Sequence, residues 1–418
     1  MANNNENKVL NVPNLRFPEF SEEWKKMKVS ELLDFYSTNS LSWEQLDYNN
    51  GKIKNLHYGL IHKGVPTMVD VVCDSLPYIK EESMPKSFTL FKEGDVAFAD
   101  ASEDTNDVAK AIEVVNCDNQ QIVSGLHTIH GRDNYEQTVI GYKGYAFASD
   151  SFHKQIRRIA QGTKVFSINT RNFDEVYIGI PSKEEQTKIA KLLIAIDKRI
   201  ATQSKIIDKL KSLIKGLNDN IHKDIKGEIV CFADLGEAYA GLSGKSGDDF
   251  GKGEPFITYM NVYQNTYISE MDYEFVQIAP NERQNCVQYG DVLFTLSSET
   301  PEEVGMGAVY LGNTQKLYLN SFCFGIHIYD ERVLPRYLAH FISSTSFRKA
   351  IYPLAQGSTR FNLQRNDFMK MRFVLSTIEE QEHIVKTFDA LHCRLANEMS
   401  LAEQYFLLKQ YLLSQLFI

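Results

Sequence analysis

The stretch Ala160-Gln-Gly-Thr-Lys-Val-Phe166 decides the fold, because it returns 195 residues later as Ala355-Gln-Gly-Ser-Thr-Arg-Phe361. Further matched segments keep the same order along the chain: Phe152-x-Lys154-x-Ile156 with Phe347-x-Lys349-x-Ile351, Glu184-Glu-Gln186 with Glu379-Glu-Gln381, and Gly94-Asp-Val-Ala-Phe98 with Gly290-Asp-Val-Leu-Phe294. A colinear series of this kind indicates an internal duplication. The chain is therefore predicted to consist of two related halves, roughly 13–223 and 227–418.

Each half ends in a long helical pattern, in which apolar residues alternate at steps of four and three as in a coiled-coil heptad seam. The first seam reads Ile189, Leu193, Ile196, Ile200, Gln203, Ile207, Leu210, Ile214, Leu217 and Ile221, and the second reads Ile384, Phe388, Leu391, Leu395, Glu398, Ala402, Tyr405, Lys409, Leu412 and Leu416. Ordinary amphipathic core helices remain the alternative interpretation. We expect an intramolecular antiparallel coiled coil about 60 Å long, with Gln203 and Glu398 as a polar layer that fixes the register.

The segments that precede the two helices contain short apolar runs, punctuated at short intervals by Gly, Asn, Asp and Pro. This pattern is typical of strands and turns with a few short helices. The predicted fold class is therefore α+β, with two tandem-repeated α+β globules and two long helices. The predicted boundaries are 1–181, 182–225, 226–376 and 377–418.

Composition limits the class of protein. No apolar run approaches the roughly 18 residues of a membrane span, so neither a membrane protein nor a secreted precursor is expected. Six scattered cysteines without a Cys-x-x-Cys pair fit a reducing cytoplasm. The pair His127-x-x-His130 has no further ligand nearby, so it is interpreted as ordinary strand or loop residues rather than a metal site. The polar start, Ala2–Asn7, is expected to fray.

The charge distribution restricts how the chain could contact nucleic acid. The net charge of −9 argues against a protein that coats nucleic acid along its whole surface. Residues 1–151 carry 14 basic and 23 acidic side chains, residues 152–226 carry 16 and 8, and residues 227–418 carry 15 and 23. Any contact with nucleic acid must therefore be local.

The motif Gly241-Leu-Ser-Gly-Lys-Ser-Gly247 ends like a phosphate-binding loop but fails on spacing. Such a loop needs a glycine five positions before the Gly of Gly-Lys-Ser, and that position is Tyr239. An adenine methyltransferase would need an Asn/Asp-Pro-Pro-Tyr loop, but all eleven prolines are isolated. No nuclease motif or nucleophile elbow is visible either. Together with the duplication, this favours a binding protein over a self-contained methyltransferase or nuclease.

Polar loops in both globules are candidates for DNA contact. Hydroxyl and carboxylate groups follow the strands at Gly94–Asp104 and Gly290–Thr300, and such groups can contact base edges and phosphates. Each globule also has a loop that begins Gln-Gly, at Gln161-Gly162 and at Gln356-Gly357, and we call these the Gln-Gly loops. Each Gln-Gly loop adds a hydroxyl group and a cation before the long helix. The alternative is that these loops are ordinary solvated turns and that the tyrosines serve only in packing. The candidate DNA-binding residues are Tyr58, Lys63, Ser102, Glu103, Thr163, Lys164, Ser243, Lys245, Tyr259, Asn261, Tyr263, Ser297, Ser298, Glu299, Thr300, Ser358, Thr359 and Arg360.

The order of globule, helix, globule and helix resembles the specificity subunit of type I restriction–modification systems. Three sequence segments also resemble this family: Pro13-Asn-Leu-Arg-Phe-Pro-Glu-Phe20 with Trp24, Pro-Ser-Lys-Glu-Glu-Gln186, and Phe256-Ile-Thr-Tyr-Met-Asn-Val262. The second half has Ser376-Thr-Ile where the family commonly has proline. The start of the second helix is therefore expected to differ from that of the first.

The resemblance implies a non-catalytic subunit with two target-recognition domains, each of which reads one half of a bipartite double-stranded DNA site. It implies two methylation subunits that bind S-adenosylmethionine, two restriction subunits that use ATP and magnesium, and no cofactor in this chain. The residues expected in the coiled coil and in partner docking are Glu185, Gln186, Ile189, Ile196, Gln203, Leu210, Glu380, Gln381, Ile384, Leu391 and Glu398. A coiled-coil scaffold without a role in DNA binding remains an alternative.

Overall fold

The computed structural model describes residues 10–418, so the expected fraying of Ala2–Asn7 lies outside the described chain. The chain divides into two compact units, one that runs to Gln203 and includes Leu401–Ile418, and one that comprises Ser204–Ser400. Each unit contains strands and short helices together with segments of two long helices, which confirms the predicted α+β class. Within residues 10–418, no helix is long and apolar enough to cross a lipid bilayer.

The first globule is built on a five-stranded sheet of order β2-β11-β7-β9-β5 and a four-stranded sheet of order β10-β4-β6-β3. Its strands are β1 (Lys25–Lys28), β2 (Asp34–Tyr36), β3 (Leu46–Asp47), β4 (Ile53–Leu56), β5 (Met68–Asp70), β6 (Tyr78–Ile79), β7 (Val96–Ala99), β8 (Ala101–Ser102), β9 (Ala111–Asn116), β10 (Gln121–Ser124), β11 (Thr128–Arg132), β12 (Phe166–Ser167) and β13 (Tyr177–Ile180). Its helices are α1 (Val29–Leu32), α2 (Tyr58–His62), α3 (Lys143–Phe147) and α4 (Asp150–Ile159), and the long helix α5 (Lys183–Lys223) follows.

The second globule contains a four-stranded sheet of order β15-β22-β18-β20 and two three-stranded sheets, β17-β16-β21 and β19-β24-β23. Its strands are β14 (Glu228–Cys231), β15 (Gly236–Ala240), β16 (Phe250–Ile257), β17 (Tyr273–Val276), β18 (Val292–Thr295), β19 (Ser297–Ser298), β20 (Gly307–Val309), β21 (Tyr318–Leu319), β22 (Cys323–Ile328), β23 (Ala355–Gln356), β24 (Phe361–Leu363) and β25 (Arg372–Leu375). Its helices are α6 (Phe232–Leu235), α7 (Tyr259–Gln264), α8 (Pro335–Ile342), α9 (Thr345–Ile351) and α10 (Arg365–Met369), and the long helix α11 (Ile378–Gln415) follows.

Strand pairing repeats between the globules. The antiparallel pair β1·β13 corresponds to β14·β25, and the sheet order β2-β11-β7-β9 corresponds to β15-β22-β18-β20. The short pair β8·β12 corresponds to β19·β24. The duplication inferred from the sequence is therefore present in the topology.

In the first unit, the beginning of α5 packs beside the end of α11. Ile189 and Leu193 belong to the same buried core as Leu412 and Leu416. The ammonium group of Lys409 lies 2.6 Å from a carboxylate oxygen of Asp197. Since the start of one helix meets the end of the other, the two helices run antiparallel here.

In the second unit, the end of α5 packs beside the beginning of α11. Leu217 and Ile221 pack against the buried core that includes Ile384 and Phe388. The helix segments are again antiparallel, as the fold prediction stated.

The two polar residues of the predicted seam are Gln203 and Glu398. Gln203 is buried, and Glu398 lies 3.6 Å from Arg394 one turn earlier on α11. Their role in fixing the register stays a prediction.

A buried glutamine ties each globule to its long helix. The Gln186 amide nitrogen donates to the carbonyls of Gln137 and Pro181, and its oxygen accepts from the Val139 amide. Gln381 makes the same three bonds to Arg332, Ser376 and Leu334, at 2.9 Å each. These six partners are related by the same 195-residue offset as the sequence repeat. The expectation that the second helix starts differently was therefore wrong at this anchor, because a carbonyl accepts equally well from Pro181 or Ser376.

The residues predicted for partner docking are largely used inside the chain. Glu185 accepts two hydrogen bonds from the Arg16 guanidinium at 2.8 Å and one from the Trp24 indole, and its carboxylate is buried. Ile189, Ile196 and Ile384 are buried in their own unit's core. The three isoleucines lie in the packed seam, as the coiled-coil prediction stated, and partner docking by these residues stays a prediction.

Candidate nucleic-acid interface

Most of the predicted residues of the second globule converge on one cleft. The cleft has a volume of about 720 Å³. Its lining residues, which we call the second-globule cleft, are Tyr259, Met260, Tyr263, Ser297, Ser298, Glu299, Glu303, Thr359 and Arg360. All but Met260 and Glu303 were predicted from the sequence, although they lie on three segments separated by up to about a hundred residues. The structure brings these residues together, and their contact with DNA stays a prediction.

Strand pairing explains how the three segments meet. Ser297 and Ser298 form β19, which pairs with Asn362 and Phe361 of β24. This ladder holds the Gln-Gly loop beside the serines. Gly357 has φ +142°, and a Cβ at this position would lie 2.1 Å from the carbonyl oxygen of Arg360. The loop therefore requires glycine, which accounts for the motif that revealed the repeat.

Hydrogen bonds fix the polar wall of the second-globule cleft. The Tyr259 hydroxyl donates to the Ser297 carbonyl at 2.8 Å, and the Tyr259 and Tyr263 rings stack at 6.0 Å. The Ser298 hydroxyl donates to Glu303 at 3.2 Å. A hydrogen bond from Tyr263 lowers the pKa of Glu303, so its carboxylate is ionised and can accept from an exocyclic amino group of a base.

Arg360 is the one cation among the residues that line the second-globule cleft. Arg360 is exposed, and its guanidinium lies 5.4 Å from the centre of the Phe322 ring. An arginine that stacks on an aromatic ring keeps its planar donors free for a base edge or a phosphate. Neither Phe322 nor Glu303 was predicted from the sequence, because their roles depend on contacts across loops.

Two predicted DNA contacts of the second globule are wrong. Asn261 lies on helix α7. Its side chain is fully buried, and its amide donates to the backbone carbonyl of Ser269 at 2.8 Å. Lys245 donates to the Gln277 carbonyl at 2.6 Å and to the Glu282 carboxylate at 2.5 Å. Its side chain is mostly buried in this contact, so it holds its own loop and is not free for a phosphate.

The remaining predicted residues of the second globule lie on exposed loops. Ser243 is exposed on the loop that carries Lys245, and Thr300 and Ser358 are exposed beside the second-globule cleft without lining it. Their contact with DNA stays a prediction.

The first globule places its predicted residues on the equivalent ladder. Ser102 of β8 pairs with Phe166 of β12, as Ser298 pairs with Phe361. Gly162 has φ +145°, like Gly357. The predicted residues Glu103, Thr163 and Lys164 are exposed around this ladder. Both globules therefore present a hydroxyl-bearing strand edge beside a Gln-Gly loop.

Helix α2 of the first globule carries Tyr58, which belongs to a cluster that sequence reasoning missed. We call Trp43, His57, Tyr58, His62 and His127 the histidine–aromatic cluster. The ring centres of Trp43 and His57 lie 4.3 Å apart, and those of His57 and Tyr58 lie 4.6 Å apart. Tyr58 also meets the rings of His62 and His127 edge-on. Lys63, which was predicted, is exposed at the end of α2.

The comparisons with known proteins agree with this fold. Residues 21–212 match the sequence model of the type I restriction modification DNA specificity domain. The chain is 24% identical over 279 residues to the type I restriction enzyme EcoKI specificity subunit of Escherichia coli strain K12, a match that covers 60% of this chain and 58% of that protein. The aligned region thus spans less than two thirds of that relative.

Solved structures share the fold along nearly the whole chain. The S subunit of a type I restriction–modification system from M. genitalium covers 97% of this chain and 99% of its own, with a TM-score of 0.52 at 12% identity. A chain solved to show complex assembly and conformational transition of the type I R-M system covers 93% of this chain and 96% of its own, with a TM-score of 0.61 at 14% identity. Residues 21–212 thus match the DNA specificity domain of type I restriction–modification systems, and the chain as a whole shares its fold with S subunits of such systems.

Proposed function

We propose that this chain is the DNA sequence-specificity subunit of a type I restriction–modification complex and has no catalytic activity of its own. Each globule reads one half of a bipartite duplex site. The observation that carries the proposal is the duplicated edge, in which the ladders at Ser102 and Ser298 lie beside the glycine loops at Gly162 and Gly357. Equivalent edges that differ in side chains suit two half-sites of different sequence.

The helix pair sets the spacing between the half-sites in this proposal. Helix α5 has 41 residues, which corresponds to about 60 Å. At about 3.4 Å per base pair, this length limits the whole site to roughly 17 base pairs. Two short half-sites separated by an unread spacer fit within that limit.

The catalytic steps belong to partner subunits in this proposal. Two methylation subunits bind S-adenosylmethionine and methylate adenine, and two restriction subunits use ATP and magnesium for translocation and cleavage. A run of exposed apolar side chains on α11 supports a partner surface: Leu401, Phe406, Leu407, Leu408 and Tyr411. The six free cysteines of the chain support assembly in a reducing cytoplasm.

The test is selection of duplexes from a randomised library by the full chain together with its methylation subunits. We expect a bipartite consensus with a fixed unread gap, and binding that weakens as salt rises. If the selected duplexes share no sequence, the chain does not confer specificity. Methylation by the purified chain alone would instead support the alternative of a self-contained enzyme.

The spacing role has its own test. Insertion of seven residues near Leu210 adds one heptad to α5, and a matching heptad near Leu395 keeps the helices paired. We expect the selected half-sites to stay the same while the gap between them changes. An unaltered gap would show that the helix pair does not set the spacing.

A further inference from the structure

The histidine–aromatic cluster contains four side chains besides the predicted Tyr58 that can contact a base, and the sequence indicated none of these four as a DNA contact. Three imidazoles, an indole and a phenol lie within ring-to-ring contact on the short helical turn before β3, on α2 and the residue before it, and on the turn before β11. Such rings normally fill a core, where they are enclosed. Here the outer members are not enclosed: Trp43 is 44% exposed and the His127 side chain is 52% exposed.

The inner members hold the exposed rings in place. His57 is buried, its ring packs between Trp43 and Tyr58, and its Nδ1 accepts from the Gly59 amide at 3.2 Å. Burial lowers the pKa of His57, which agrees with a neutral ring that accepts this bond. A Cβ at Gly59 would approach the Trp43 ring to 3.2 Å, so glycine lets the indole lie close against α2. The exposed face of the cluster is therefore preorganised.

His127 is held in an uncommon backbone conformation. Its φ of +53° is rare for a residue other than glycine, and such strain persists only where neighbouring contacts impose it. Its Nδ1 lies 3.2 Å from a carboxylate oxygen of Asp100, and its carbonyl accepts from the Asp100 amide. This pairing orients the ring so that Nε2 faces away from the carboxylate. The outward nitrogen is free to bond an external group.

The cluster lies at the position that corresponds to the second-globule cleft. His62 Nε2 lies 3.0 Å from the carbonyl of Ala101, just as the Tyr259 hydroxyl bonds the carbonyl of Ser297. Ala101 and Ser297 occupy equivalent positions in the β8·β12 and β19·β24 ladders. Helices α2 and α7 thus attach to the same point of the duplicated edge, and they present different side chains from it.

We propose that Trp43, Tyr58 and His127 are the specificity-determining side chains of the first globule and contact the base pairs of its half-site. This inference rests on the proposed function and adds the chemistry of one half-site. Indole N–H and phenol O–H can donate to base-edge acceptors, and imidazole Nε2 can accept from a base amino group because Nδ1 donates to Asp100. The ring faces offer apolar contact to a thymine methyl group. The second globule presents carboxylates and an arginine instead, so its half-site differs in sequence.

The experiment is duplex selection from one randomised library by the full chain with its methylation subunits, repeated with Trp43→Ala and His127→Ala. We expect the native consensus to lose bases in one half only, with the other half and the gap unchanged. Affinity for the native consensus should fall at least about fivefold in each variant. Tyr135→Ala is the matched control, because Tyr135 is exposed on the first globule outside the cluster, and it should leave both halves unchanged.

The outcomes separate this inference from the proposed function. If the native chain selects no bipartite sequence, the proposed function fails. If the native chain selects one and both variants select the same two halves, the proposed function stands and this inference is overturned. Loss of both halves, with circular dichroism showing native folding, would also overturn it.

Tryptophan fluorescence of the native chain gives a second measurement, which does not depend on whether a variant folds. The chain has two tryptophans, and Trp24 is 2% exposed and bonded to Glu185, so solvent-sensitive emission comes from Trp43. We expect the selected duplex to shift this emission, and a duplex with a scrambled first half to shift it much less. Equal spectra with both duplexes would contradict contact at Trp43.

Discussion

The two globules are tied to their long helices by equivalent glutamines, but they carry different side chains on their equivalent strand edges. Gln186 and Gln381 make matching sets of hydrogen bonds to their globules. The histidine–aromatic cluster and the second-globule cleft, in contrast, share only their attachment to the β8·β12 and β19·β24 ladders. A duplicated scaffold thus keeps the geometry of each edge fixed while the side chains on it vary. This division suits a protein whose two halves recognise different sequences.

The starts of the two long helices differ at Glu185 and its equivalent, Glu380. This difference leads to the largest effect on the free energy of unfolding that we expect. Arg16→Ala leaves the buried carboxylate of Glu185 without its bidentate partner, and an unpaired buried charge costs about 3 kcal/mol. The equivalent Glu380 is exposed. We therefore expect urea denaturation to show a loss of about 3 kcal/mol for Arg16→Ala, and less than about 0.5 kcal/mol for Glu380→Ala. Equal small losses would show that the first helix start needs no ion pair.

The glutamine anchors should respond alike. Gln186→Ala and Gln381→Ala each leave three backbone groups, one buried and two partly buried, without this partner, at a cost of about 2 kcal/mol. Gln410→Ala, on the exposed face of α11, serves as the control in the same denaturation experiment. A cost in only one half would break the equivalence of the two anchors.

Acid should destabilise the second unit, because three imidazoles, those of His222, His340 and His392, lie buried or half-buried close to one another there. Burial lowers the pKa of His340 to about 3 and also lowers the pKa of His222 and His392. The groups that face His340 include Tyr267, whose hydroxyl lies 3.0 Å from its Nε2, and Arg336, whose charge opposes protonation.

Since the unfolded chain binds protons near pH 6.5 and the folded chain does not, stability falls as pH drops below 6.5. His340→Asn should remove about 1.4 kcal/mol of the difference between pH 7.5 and pH 5.5. The measurement is urea denaturation at both pH values, with His383→Asn on the exposed face of α11 as the control. An unchanged pH difference in His340→Asn would show that this imidazole does not oppose protonation.

The smallest expected effect sharpens the comparison of the reading edges. Arg360→Ala removes the cation of the second-globule cleft, and we expect affinity for the selected duplex to fall about fivefold. Lys245→Ala should leave affinity unchanged, because Lys245 already pairs with Glu282. Titration of each variant with a duplex of the native consensus sequence measures the affinity and shows which of the two cations contributes to binding. A loss of affinity with Lys245→Ala alone would instead support Lys245 as a DNA contact, as the sequence predicted.

Local patterns in the sequence predicted the helices and the duplication, because a heptad seam and a colinear repeat depend on neighbouring residues. Equivalence between halves also indicated Ser102 and Ser298 correctly as members of one kind of edge. The sequence misled where a side chain finds a distant partner. Asn261 sits in a helix and bonds the Ser269 carbonyl, and Lys245 meets Glu282 across 37 positions.

The same limit hid the first globule's edge. His127 and Asp100 are 27 positions apart, and Trp43 and His57 belong to different segments. A lone histidine pair is interpreted as ordinary strand residues until the fold places a phenol and a carboxylate beside His127. His130, the second member of that pair, is instead buried and bonds Asp95 at 2.8 Å.

The most direct test of the central claim is a genome-wide map of N6-methyladenine in cells that carry this chain with its methylation subunits, compared with cells from which only this chain is deleted. Recognition by two globules predicts a single bipartite motif with a fixed unread gap that disappears on deletion. A continuous motif, or methylation that persists without the chain, would contradict it.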